Sequence, residues 1–219
     1  MGNLDLVRIL LTLAALVVSI TFHEFMHAWS ANELGDPTAK RMGRLSLNPI
    51  VHFDPLGALM IVFTTISGFG IGWGKPTPVN PHNLRGNARI SMGLTSVAGP
   101  ISNLILATIA AVPVRLVGSS LPTLAAEFLT LMVFVNVGLA LFNLIPLPPL
   151  DGFAVVQGVL ATQRGRWAYD ANSTLDRLAP YGPVLLLALL SLGWIGLPSP
   201  LSLIYGPPWS AIVHLLLGL

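Results

Sequence analysis

The chain has 219 residues, of which 11 are Lys or Arg and 9 are Asp or Glu, with a net charge of +2 and 53% apolar content. A charged fraction of 9% is too small to cover a water-soluble globule, where about 25% is usual, and the high hydrophobicity excludes disorder. The charge balance argues against a nucleic-acid partner, the absence of Cys excludes disulfides and Cys-ligated zinc, and a mean hydropathy of +0.76 makes a lipid bilayer the natural solvent.

Five stretches are long and apolar enough to span: residues 4–29, 90–116, 123–145, 181–197 and 201–217. The first continues from Leu16 and Val17 into Phe22 and His23 with no small-residue cleavage site, so it reads as a retained helix and not as a signal peptide. In the polar segment 31–55 that follows, Arg44-Leu45-Ser46-Leu47 alternates polar and apolar residues and predicts a short strand. The free edge of such a strand could pair with an unwound substrate. Residues 56–71 are borderline, because a span needs about 20 residues, and they run into a glycine-rich tract, residues 68–74, that is poor helix. The polar segments 72–89 and 162–180 carry most of the remaining charge, and the linkers 117–122 and 198–200 carry none. Asn172-Ser173-Thr174 matches a glycosylation triplet of the kind that arises by chance.

Lys and Arg sort these segments. Lys40, Arg41, Arg44, Lys75, Arg85, Arg89, Arg164, Arg166 and Arg177 all fall on one side if residues 56–71 dip into the membrane and return. They split six against three if that stretch crosses. The positive-inside rule prefers the re-entrant version, with the N-terminus outside and the C-terminus in the cytoplasm. The expected fold is an all-α polytopic membrane protein of about five to six transmembrane helices, with a re-entrant loop or short β-hairpin near the cytoplasmic face. Residues 1–219 read as a single membrane-embedded domain, with a core of about 5–160 and C-terminal helices over about 181–219.

His23-Glu24-Phe25-Met26-His27 is an H-E-x-x-H motif near the end of an apolar helix. Residues i and i+4 share a helix face, so both imidazoles reach one Zn2+, and Glu24 sits beside it to accept a proton. Ionisable groups at that depth are costly and are usually functional. A catalytic zinc takes three protein ligands. Glu33, Asp36 and Asp54 lie in or beside the polar loop, and Glu127 begins a span at the far side. Asp151 follows a proline-broken run, Asn143-Leu144-Ile145-Pro146-Leu147-Pro148-Pro149-Leu150. Freed backbone carbonyls there are tolerated only around a cavity, so Asp151 is the expected third ligand, with a helix-capping aspartate as the alternative. For His23, His27 and Asp151 to meet, the chain between them must cross an even number of times. This again leaves residues 56–71 uncrossed.

Three of these pieces, His23 to His27, Ala98-Gly99-Pro100-Ile101-Ser102-Asn103 and Asn143 to Gly152, resemble the site-2 protease family of intramembrane zinc metalloproteases. The runs 43–49, 54–57 and 74–81 look like its compact branch, without PDZ or CBS insertion. The resemblance covers residues 5–160 well and the last two spans only in hydropathy. It implies a three-helix core holding one zinc near the cytoplasmic face, in the plasma (inner) membrane of a prokaryote. The implied activity is hydrolysis of peptide bonds in or near transmembrane segments of membrane-anchored substrates. By that analogy His23, His27 and Asp151 bind zinc and Glu24 is the general base. Asn103 would help hold the substrate or the oxyanion, or else make an interhelical hydrogen bond. Asn143 could bond a ligand or a broken-helix carbonyl. His52 and His82 read as loop residues and His214 as a packing or interfacial one, while Trp73, Trp194 and Trp209 suit the membrane interface. The competing function is a metal-ion transporter or metal-binding membrane protein. It would want entry ligands on both faces, and the outer linkers have almost none.

Overall fold

A computed structural model describes residues 6–67, 72–194 and 200–218, with the side chains at 193–194 and 200–202 left aside. Residues 68–71 of the expected glycine-rich tract, 198–199 of the expected linker and the Trp194 side chain fall outside that range. The helices, in order, are α1 (Leu6–Glu33), α2 (Thr38–Arg41), α3 (Pro55–Ser67), α4 (Ala88–Val117), α5 (Thr123–Asn143), α6 (Asp151–Thr162), α7 (Arg166–Leu178), α8 (Gly182–Trp194) and α9 (Pro200–Leu217), with 3₁₀ turns at Pro49–His52 and Pro81–Asn83.

Among the described residues four helical runs are long and apolar enough to cross a membrane: α1, α4 with its 3₁₀ extension to Ser120, α5, and the continuous run Arg166–Leu192. Among the described residues the protein is thus all-helical with four candidate spans. α3 has 13 residues, about 20 Å of helix, against a hydrocarbon core of about 30 Å. The expected span 181–197 merges with the preceding polar helix, and the stretch 203–217 is a shorter apolar helix. No strand occurs among the described residues. The strand expected at 44–47 is an irregular segment, because its polar groups turn to other parts of the loop layer. The Arg44 guanidinium binds the Lys75 and Pro76 carbonyls, and the Ser46 carbonyl accepts from the His52 ring.

Small side chains set the helix spacing. The buried stripe Ala15, Ser19, His23, His27 and Ala31 repeats every four residues along α1. It faces Thr95, Gly99, Asn103, Ala107 and Ala111, which repeat likewise along α4. Between membrane helices, small residues let backbones approach and gain dispersion contacts where hydrophobic driving force is absent. Leu131, Met132, Val133 and Val137 of α5 and Val213 of α9 complete this core. On the other side of α4, a Cβ on Gly93 would lie 3.1 Å from the Gly158 Cα of α6, so the two backbones touch. α4 is therefore the central post, with α1, α5 and α6 packed around it.

Candidate metal centre and active site

α1 presents His23 and His27 to α4 at the level of Gly99. A Cβ there would fall 2.5 Å from His27 Nε2 and 2.7 Å from His23 Cε1, so the ring pair occupies the space a side chain would fill. Asp151 arrives from the other direction. After α5 ends, the loop 144–150 folds back so tightly that a Cβ on Gly152 would overlap the Leu144 carbonyl. Asp151 then stands in the first turn of α6. Its carboxylate lies beside a helix N-terminus, which favours negative charge.

Both rings have their Nδ1 atoms committed. His27 Nδ1 lies 2.8 Å from the Thr95 carbonyl oxygen, which can only accept, so that nitrogen carries the proton. His23 Nδ1 lies 2.7 Å from Asn103 Oδ1. The Asn103 amide is oriented by its own donors, Nδ2 to the Ser19 carbonyl at 3.2 Å and to Asn136 Oδ1 at 2.8 Å. Asn136 in turn donates to the Met132 carbonyl. In neutral rings both Nε2 atoms are then bare acceptors.

These two Nε2 atoms lie 3.0 Å apart, and Asp151 Oδ2 lies 3.1 Å from one and 3.3 Å from the other. Asp151 Oδ2 is buried with no hydrogen-bond donor among the described residues. Three lone-pair donors thus converge with no proton assigned between them, which is unfavourable unless a cation sits in their midst. Zinc bonds of about 2.0–2.2 Å in tetrahedral geometry put ligand atoms about 3.3 Å apart, so this donor set fits the ion. His23, His27 and Asp151 are the one metal-competent group among the described residues. The ring N–H bonds to Asn103 and Thr95 are the outer-shell partners such ligands usually have.

The triad opens on a cavity of about 650 Å³ lined also by Glu24, Thr77, Asn143 and apolar residues such as Ile20, Phe142 and Leu186. Glu24 is held by the loop segment after residue 72: Thr77 N–H donates to Glu24 Oε2 at 2.7 Å, and Thr77 Oγ1 donates to the Glu24 carbonyl at 3.0 Å. Asn143 spends one amide hydrogen on the Leu139 carbonyl and borders the cavity. Asn103 is fully buried with both amide hydrogens engaged, so it holds His23 and has no donor left for an oxyanion.

The other acids are occupied elsewhere. Asp54 caps α3 through Gly57 N–H at 2.7 Å, and Glu33 pairs with Asn32. Glu127 belongs to the end of α5 remote from Asn143. Asp36 is fully buried and accepts from Thr38 N–H and Oγ1, Asn80 N–H and Asn83 Nδ2. Burial would raise its pKa, but these hydrogen bonds outweigh burial and hold it below the ordinary carboxylate value. His52 is buried and gives its Nε2 hydrogen to the Ser46 carbonyl, His82 is exposed, and so is His214. Trp73 borders the cavity. Trp209 packs on Phe134, with ring centroids 5.5 Å apart, and donates to its carbonyl, so it serves packing within the bundle. Sequence reasoning missed the roles of Ser19, Thr77, Thr95 and Asn136, which act through backbone groups or across helices; Thr77 lies in the family-like run 74–81, but nothing in that run points to Glu24.

A pair of helix-borne imidazoles and a carboxylate from the start of α6, with a glutamate beside them and membrane-length helices around them, form a candidate metal centre within a membrane protein. A profile described as peptidase family M50 matches residues 112–188. The "Putative zinc metalloprotease YwhC" of Bacillus subtilis is 38% identical over 206 residues, covering 88% of this chain and 91% of its own. Two proteins named Rip2 carry the same description. That of Mycolicibacterium smegmatis is 28% identical, over 68% of this chain and 56% of its own. That of Mycobacterium tuberculosis strain Erdman is 29% identical, over 84% and 69%. No solved structure matches. The chain belongs to peptidase family M50.

Proposed function

We propose that this protein hydrolyses peptide bonds in or near the transmembrane segments of membrane-anchored proteins. Membership of family M50 and kinship with proteins named as zinc metalloproteases make it a membrane zinc metalloprotease. The observation that carries the site assignment is the convergence of His23 Nε2, His27 Nε2 and Asp151 Oδ2 within 3.3 Å. We assign these three as the ligands of one Zn2+ per chain. Zinc, when bound, lowers the pKa of a coordinated water to about 7 and polarises a carbonyl.

The remaining roles fall to the chain's own groups. Glu24 accepts the proton of the attacking water and returns it to the leaving amine nitrogen. Asn103 and Thr95 hold the two imidazoles in the tautomer that leaves Nε2 bare. Asn143, with an amide hydrogen to spare at the cavity wall, is the group placed to bond a substrate carbonyl. The cavity volume of about 650 Å³ lies in the range of pockets that enclose a ligand, enough for a short unwound peptide segment.

The charge asymmetry supports a topology in which α3 and the flanking loops roof the site without crossing, and the Lys- and Arg-bearing segments face the cytoplasm. In that reading the last apolar helix adds a fifth span, the active site lies toward the cytoplasmic face of a prokaryotic plasma membrane, and residues 1–219 act as one domain built on a core of about 5–160.

Glu24→Gln tests the assignment. Reconstituted with a tagged single-span substrate, the wild type should release a fragment that chelation abolishes. The variant should bind zinc equally and cleave at least about 10³-fold more slowly. Equal cleavage would overturn the role of Glu24, and metal flux across the vesicle in both proteins would favour a transporter.

A further inference from the structure

The segment that carries Thr77 reads Lys75-Pro76-Thr77-Pro78-Val79-Asn80-Pro81. Proline lacks an N–H and fixes its own φ, so Thr77 owns the one backbone donor between positions 76 and 78. Three N–H groups of this segment tie it to three places: Lys75 to the His52 carbonyl at 2.9 Å, Thr77 to Glu24 Oε2 at 2.7 Å and Asn80 to Asp36 Oδ2 at 2.6 Å. The Thr77 hydroxyl adds a second hold, on the Glu24 carbonyl at 3.0 Å.

Arg44 completes the arrangement. It is 4% exposed and makes no carboxylate ion pair among the described residues. Its guanidinium donates to the Lys75 carbonyl and, at 3.4 Å, to the Pro76 carbonyl. Pro76 C=O and Thr77 N–H belong to the same planar peptide unit, so fixing the oxygen end fixes the direction of the N–H at the other. Burial depresses the Arg44 pKa, and the Glu24 carboxylate nearby opposes that shift. A buried guanidinium without a paired acid is costly, and here it faces Glu24 across one peptide.

We propose that residues 75–80 are a rigid clamp for the general base, in which the peptide between Pro76 and Thr77, held by Arg44, aims the Glu24 carboxylate into the cavity. Arg44 and Thr77 are positioning residues. The inference rests on the reading of Glu24 as the general base.

The full-length protein in proteoliposomes, with a tagged single-span substrate, provides the test. Arg44→Met and Thr77→Pro should each lower kcat about 10–100-fold, as misplacement of a reacting group by an ångström does. KM should stay within about twofold and the zinc content should not change. Arg44→Lys and Thr77→Ser, which keep a donor at the same place, should recover most of the loss. Hydrogen exchange read at Thr77 needs no turnover: its N–H should be protected in the wild type and exchange at least about tenfold faster in Arg44→Met. Wild-type kcat in both disruptive variants, a kcat loss accompanied by lost zinc or a large rise in KM, or failure of Arg44→Lys to recover activity would overturn the proposal. Fast exchange at Thr77 in the unaltered protein would overturn the clamp itself, whereas wild-type turnover by Glu24→Gln would overturn only the reading of Glu24 on which its catalytic meaning rests.

Discussion

Replacing Gly99 by Ala adds one methyl group against the metal ligands. That methyl would sit 2.5 Å from His27 Nε2 and 2.7 Å from both His23 Cε1 and His27 Cε1, where ordinary contact begins at 3.4 Å. The rings must therefore retreat by about 0.7–0.9 Å, or α1 and α4 must separate by that much. The second route is resisted by the close packing of Ala15, Ala107 and Ala111. Zinc sites tolerate about ±0.2 Å in ligand distance, so the displacement exceeds the tolerance several times over. Zinc affinity should fall at least about 100-fold, or about 2.7 kcal/mol. The backbone term runs the other way, because Ala is favoured over Gly in a helix interior by about 1 kcal/mol. The metal-free variant should thus keep its helix content while losing the ion. Zinc competition against a graded chelator, with circular dichroism of the metal-free protein alongside, reads both quantities. A Gly99→Ala protein that bound zinc within threefold of wild type would refute the claim that the ring pair and Gly99 share one volume.

Two further outcomes follow from the hydrogen bonds around the site. Asn103→Leu removes the acceptor on His23 Nδ1 and strands the Asn136 amide oxygen, so zinc affinity should drop about 10–100-fold, read by the same competition. Asp36 has a folded pKa below its ordinary value of 3.8. Its contribution is therefore fully present above about pH 4 and is lost as pH falls through the depressed folded value. Protection of Asn80 N–H, measured by hydrogen exchange between pH 6 and pH 3, should decline at the acid end in the wild type and be low and flatter with pH in Asp36→Asn. A wild-type profile in that variant would count against the assignment.

The membrane class was legible in composition, because a bilayer is the only solvent that accepts so few charges. Two of the three candidate ligands were legible because a helix places i and i+4 on one face, so spacing alone brings His23 and His27 together. Asp151 was readable less directly, from the proline-broken run before it. The expected strand at Arg44 to Leu47 was misread, since alternation over four residues does not reveal that the Arg44 side chain leaves the segment to bind the Lys75 and Pro76 carbonyls. Asn103 was recognised as important, but its task was open. In the tertiary structure its amide hydrogens go to the Ser19 carbonyl and Asn136 Oδ1 and its oxygen faces His23 Nδ1, which matches the interhelical hydrogen bond that stood as the alternative.

By itself, then, the sequence determined what each helix could bury and which chemistry its polar residues could perform, because periodicity and residue type are local properties. The tertiary structure decided the rest. Packing of small residues along α1 and α4 brought Gly99 against the imidazoles, the tight turn at Gly152 delivered Asp151 to them, and the proline-framed segment around Thr77 closed on Glu24. Each of these joins residues 50 or more positions apart, and such contacts depend on how closely the backbones approach, which no window of sequence records.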